Sequence, residues 1–165
     1  MTYYLESLGR LAAVSYIFLA LGAGCLAYAS VMIQGMQPKL SWALVASFYV
    51  FSMHVLNRLT DKASERYNQP GRTEFYERWG SWMIFAGISS AGVALALAWF
   101  QGPVPFLLLL AISGMGMIYN IRIFPGGRGG IHYQRLRDIP GSKTLFVALA
   151  WGIVTSILPA LAAGK

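Results

Sequence analysis

A chain of 165 residues that is 56% hydrophobic and only 12% charged, with a mean hydropathy of +0.54, lies outside the balance of a soluble globular domain and has the composition of a membrane protein. Its formal net charge of +7 does not indicate a nucleic-acid surface, because the basic residues gather in particular loops rather than covering one face. The single cysteine, Cys25, excludes an internal disulfide and a cysteine-paired metal site.

Five stretches approach the roughly 20 apolar residues that a helix needs to cross a bilayer core. They are Leu11 to Ile33, Leu40 to Leu56, Trp79 to Phe100, Pro103 to Ile121 and Thr144 to Ala163. The expected fold is therefore all-α, an integral membrane protein of about five transmembrane helices in one domain covering residues 1–165, with the second helix continuing to residue 60. The first span carries Gly22-Ala23-Gly24, small residues that let helix backbones approach closely in lipid, and Cys25 reads as a packing residue there. The second runs Trp42, Phe48, Tyr49, Phe51 and His54 toward Asn57. Its aromatic residues suit either packing and interfacial anchoring or a groove for a polyisoprenoid tail, and His54 reads as a packed or hydrogen-bonded core histidine.

Residues 57–78 mix five basic with four acidic residues around the turn signal Asn68-Gln69-Pro70-Gly71, which predicts a loop holding one or two short helices. In the third span Gly87, Ser89, Ser90, Ala91 and Gly92 again suggest close packing. Pro103 and Pro105 open the fourth, where proline costs least, and Gly114-Met115-Gly116-Met117 leads to Tyr119-Asn120 at its far end. Pro125-Gly126-Gly127-Arg128-Gly129-Gly130 reads as a mobile glycine-rich loop but matches no Walker or dinucleotide fingerprint. Arg135-Leu136-Arg137-Asp138-Ile139-Pro140-Gly141-Ser142-Lys143 then delivers Lys143 to the start of the fifth helix. A cation at a helix N-terminus opposes the helix dipole, so Lys143 calls for a phosphate, a carboxylate or a lipid headgroup nearby, or is there through the positive-inside bias alone.

Arg58, Lys62, Arg66, Arg72 and Arg78 lie between spans two and three, and Arg122, Arg128, Arg135, Arg137 and Lys143 between spans four and five. Only Lys39 falls in the first loop of the opposite side. The positive-inside rule places the amino terminus and both long loops in the cytoplasm and Lys165 outside, as in an inner or cytoplasmic membrane. On that cytoplasmic side Asn57, Asp61 and Glu65 follow at four-residue steps, drifting by roughly 40° per step and so sharing one helix face. Such an oxygen-rich face suits a hard cation such as Mg²⁺ carrying a substrate diphosphate.

Two of these segments carry a family likeness. Asn57-x-x-x-Asp61-x-x-x-Glu65 resembles the first aspartate-rich motif of the UbiA superfamily of intramembrane aromatic prenyltransferases, with Arg58 where the family has an aspartate and Glu65 in place of the last one. Arg135 to Lys143, leading into Thr144 to Trp151, resembles the basic stretch between the family's fourth and fifth helices, and Tyr119 fits the tyrosine that ends the fourth. The resemblance covers nearly all of this chain and about half of a family member, the amino-terminal half of the bundle, without a second acidic ladder.

The resemblance implies transfer of an isoprenoid from a prenyl diphosphate to an aromatic or quinone-type acceptor. Asn57, Asp61 and Glu65 would hold Mg²⁺. Arg72, Arg137 and Lys143 would neutralise the diphosphate, and Tyr119 with Lys143 would stand at the reacting end. The other expectation is a catalytically silent accessory subunit of a larger membrane complex that binds lipid, quinone or pigment. Membrane lipids and further membrane subunits are the expected partners in both cases, with no nucleic acid.

Overall fold

A computed structural model of the chain describes residues 16–60, 70–120, 122–126, 132–136, 139 and 141–164. The fold is all-helical apart from one small hairpin. In chain order it comprises α1 (Ile17–Ile33), α2 (Leu40–Thr60), α3 (Pro70–Gln101), α4 (Pro103–Asn120), the strands β1 (Arg122–Gly126) and β2 (His132–Arg135), and α5 (Ser142–Gly152). A π-helical turn, Ile153–Ile157, continues α5 without a break into α6 (Leu158–Ala162), so that α5, the turn and α6 form a fifth rod.

Helix α2 is the hub, packed between α1 and α3 and also touching α4 and the π turn. Its buried face, Val45, Ala46, Tyr49 and Val50, meets Ala23 and Ala27 of α1, Ala94 and Ala98 of α3, Leu109 and Ile112 of α4, and Val154 and Leu158 of the fifth rod. The many alanines explain why these helices lie close together, since small side chains let the backbones approach. Gly24 is the tightest point. A Cβ there would run into Ser47 Oγ and stand 3.0 Å from the Ala43 carbonyl oxygen, whereas Gly22, two residues earlier, faces open space. A second, smaller cluster of Val31, Met36 and Trp42, with Ala160 and Ala162 against it, ties the end of α1 to α6.

Among the described residues, three segments are long and apolar enough to cross a membrane: Leu40–Arg58, Glu77–Gln101 and Thr144–Ala162. Ile17–Ile33 and Pro103–Tyr119 are apolar and slightly shorter. The helices are apolar nearly all round rather than on one stripe. Phe85 is 66% exposed, Trp82 68% and Phe100 85%.

The expected loop and the third helix divide differently from the sequence reading. The third helix begins at Pro70, well before Trp79, and runs unbroken for 32 residues, about 48 Å at 1.5 Å per residue. Proline at the first helical position loses no hydrogen bond and comes with a φ already suited to a helix, so Pro70 starts α3 where it was read as part of a turn. Residues 122–135, read as loop, contain an antiparallel hairpin pairing Arg122 with Arg135 and Gly126 with His132, with a register shift between Arg122 and Phe124. The fifth rod begins at Ser142 behind Gly141, whose φ of 82° requires a residue without a Cβ penalty.

Candidate functional site

A cavity of about 130 Å³ lies between α2, α4 and α5. Helix α2 contributes Tyr49, Val50, Met53, His54 and Asn57, residues that recur at three- and four-residue spacing and so form one face. Helix α4 contributes Ile112, Met115, Gly116 and Tyr119 by the same periodicity. The fifth rod closes the third side with Phe146, Ala150, Trp151 and Ile153, together with Val147 and Leu149. The tilted ring pair Tyr119–Phe146, with centroids 5.1 Å apart, joins α4 to α5 across this wall. Gly116 belongs to the shape of the site, because a Cβ there would stand 3.3 Å from the Met53 sulfur. Met115, Val147 and Leu149 are exposed on the outer surface as well as lining the cavity, so it opens sideways between α4 and α5.

His54, Asn57 and Tyr119 of the lining lie toward the last turns of α2 and α4. His54 stacks at 5.4 Å against the ring of Tyr16, the residue preceding α1, which has a φ of 65°. Arg58, one turn beyond His54, is buried and directs Nη1 at the Tyr16 hydroxyl at 3.5 Å. Asn57 stands beside it and is exposed at the cavity end. The Tyr119 hydroxyl has a different environment. It is buried with no hydrogen-bond partner among the described residues, inside a wall that is otherwise largely apolar. An unpaired buried hydroxyl costs about 1–3 kcal/mol, which a ligand oxygen at that position would recover.

Of the residues read from the sequence as site candidates, Asn57 and Tyr119 converge on this cavity. Lys143 occupies the second position of α5, about one turn before Phe146, and Arg72 the third position of α3. Asp61, Glu65 and Arg137 lie outside the described residues. Of the expected Mg²⁺ ligands, Asn57 is thus the member among the described residues, and it lines the cavity. His54 lines the cavity as well as packing on Tyr16, so the core-histidine reading captures only part of its position. Its spacing of three residues from Asn57 was the available signal. Phe146 and Trp151 were missed altogether, because nothing local separates an aromatic residue on a cavity wall from one facing lipid.

Compared with known proteins, the chain matches no family model, no curated protein and no solved structure.

Proposed function

We propose that the protein is a membrane-embedded helical bundle that holds the ring headgroup of a quinone-type or prenylated aromatic lipid in the cavity between α2, α4 and α5. The carrying observation is the Tyr119 hydroxyl, buried and unpartnered in a largely apolar wall. A hydroxyl in that position favours a ligand with a neutral acceptor or donor oxygen, and the wall around it favours a flat apolar ring. The volume supports the same ligand class, since about 130 Å³ is close to the space that accommodates one benzene ring. A tail leaving sideways past Met115 and Leu149 would stay among lipid chains.

Membrane embedding is supported by the exterior. Large apolar side chains such as Trp82, Phe85 and Phe100 cover it, and a surface of that kind is stable in hydrocarbon and aggregation-prone in water. The basic loops support a cytoplasmic orientation for the end that carries Asn57 and Lys143.

Kinship with the UbiA superfamily belongs to this proposal, and with it a second reading: prenyl transfer at the same cavity, with the missing half of the machinery supplied by partner membrane subunits. One observation favours it specifically. Asn57, the first residue of the Asn57, Asp61, Glu65 ladder, borders the cavity that holds Tyr119. Mg²⁺, when bound by that ladder, would supply charge neutralisation of a prenyl diphosphate. Arg72, Arg137 and Lys143 would add fixed positive charge, the general device for stabilising a departing pyrophosphate. Tyr119 would orient the aromatic acceptor.

The test is lipid analysis of the protein purified with its partners in mild detergent and reconstituted in nanodiscs. Ring-headed isoprenoid lipids should be enriched over the bulk membrane extract, and Tyr119→Phe should lower that enrichment. Co-purifying lipids in bulk proportions would end the binding proposal. Mg²⁺-dependent transfer from a prenyl diphosphate by the same preparation, lost in the double variant Asp61→Ala, Glu65→Ala, would establish the enzyme reading. Unchanged transfer in that variant would remove the metal role.

A further inference from the structure

Partway along its length the fifth rod changes the spacing of the residues that it turns inward. Phe146 and Ala150 before the π turn and Ile153 at its start line the cavity, and an uninterrupted α-helix would continue that stripe through Ile157 and Leu161. Those two residues are instead 49% and 38% exposed, while Val154 and Leu158 are fully buried in the core. An i to i+5 turn takes one residue more than an α turn, which rotates everything beyond it by about 100° relative to a continuous α-helix. The turn therefore puts Leu158, rather than Ile157, on the inward side that Phe146, Ala150 and Ile153 occupy before it, so that one side of the rod serves first as cavity wall and then as core.

Its cause and its anchor are both visible. Pro159 follows closely, has no N–H to donate, and in an α-helix its ring would press on the Thr155 carbonyl. Widening the helix over Ile153–Ile157 relieves that contact. Thr155 Oγ1 donates back to the Trp151 carbonyl at 2.8 Å. Ser156, inside the turn, shares a 2.8 Å hydrogen bond with Ser30 of α1. Gln34 Nε2, one turn further along α1, donates to Ser30 Oγ at 3.1 Å and reaches the Ser156 carbonyl at 3.5 Å. In an apolar surrounding such a bond holds two helices in a single register.

We infer that Ser30 and Ser156 are positioning residues for the cavity: their hydrogen bond fixes the π turn, and the π turn sets where Trp151 and Ile153 stand in the cavity wall. Neither serine touches the cavity. Their effect reaches it through the backbone of the fifth rod. Only the ligand-binding part of the test rests on the function proposed above.

The experiment uses the full chain labelled with 5-fluorotryptophan in nanodiscs and read by fluorine NMR, with the Trp151 signal assigned by Trp151→Phe. Ser156→Ala and Ser30→Ala should each displace the Trp151 resonance by more than its linewidth and leave that of Trp82, exposed on α3, in place. Because both remove the same bond, the double variant should give the single-variant displacement rather than twice it. Ser156→Thr, which keeps the hydroxyl, should restore the original position. A Trp151 signal unmoved in Ser156→Ala and Ser30→Ala, or displacements that add in the double variant, would overturn the inference. Titration of the same samples with a decyl-tailed benzoquinone should show severalfold weaker binding in the two alanine variants. If the unaltered protein ignores that probe while the alanine variants still move Trp151, the ligand proposal fails and the positioning role stands.

Discussion

Tyr119 is the residue at which ligand binding and stability should separate. Its hydroxyl makes no hydrogen bond among the described residues, so Tyr119→Phe removes a desolvated polar atom without breaking a hydrogen bond among them. The expected outcome is a thermal midpoint equal to or slightly above that of the unaltered protein, measured in detergent without added lipid. Affinity for a ring-headed lipid should fall roughly fivefold, the equivalent of one neutral hydrogen bond of about 1 kcal/mol. A matching loss of stability would mean that the hydroxyl serves the fold. Arg58 has the reverse character. It is only 7% exposed and its guanidinium points at Tyr16, so it ties the start of α1 to the end of α2 beside the cavity. Where the family pattern has an aspartate, this chain has a cation engaged in packing, and Arg58→Asp should reduce stability rather than create an additional metal ligand. A thermal melt of that variant checks the point, with no fall in midpoint as the contrary result. Losing a hydrogen bond made by a charged group commonly costs about 1.5–3 kcal/mol.

At the scale of elements, the contact between α1 and α2 depends on one glycine of a pair that looks equivalent in the sequence. Gly24→Ala puts a methyl group against Ser47 and the Ala43 carbonyl, while Gly22→Ala meets nothing. Overpacking of that kind costs about 1–3 kcal/mol, so Gly24→Ala should lower the thermal midpoint and Gly22→Ala should leave it unchanged or raise it, since alanine is the better helix former. Equal midpoints for the two variants would contradict this packing. The five helices and their order were legible from apolar run length alone, and the second and fourth were placed within a few residues of their observed ends. Two features were not. Pro70 signals a turn or a first helical turn equally well, and only the continuation of α3 from it distinguishes the two. The π turn has a local sign in Pro159, but the partner that holds it, Ser30, is 126 residues away in sequence.

For the whole molecule, the proposed arrangement in a bilayer rests on where the charges fall in the sequence. Single cysteines introduced at positions 37 and 128 in a Cys25→Ala background should react with a membrane-impermeant maleimide from opposite sides, position 128 only after the cytoplasmic face is opened. Labelling of both from one side would reverse or abolish the proposed orientation. Composition and the spacing of apolar runs determined by themselves that the chain is an all-helical bundle suited to lipid, because both properties are local sums over neighbouring residues. Asn57 stood out by its four-residue spacing from Asp61 and Glu65, and Tyr119 only through the family resemblance. The cavity was decided only by tertiary structure, because Tyr49, Tyr119 and Trp151 come from three helices, and an aromatic side chain on an apolar helix carries no mark of whether it faces lipid, core or an enclosed space. The unpaired state of the Tyr119 hydroxyl belongs to the same category: a missing hydrogen bond is a property of everything packed around an atom, which no residue specifies alone.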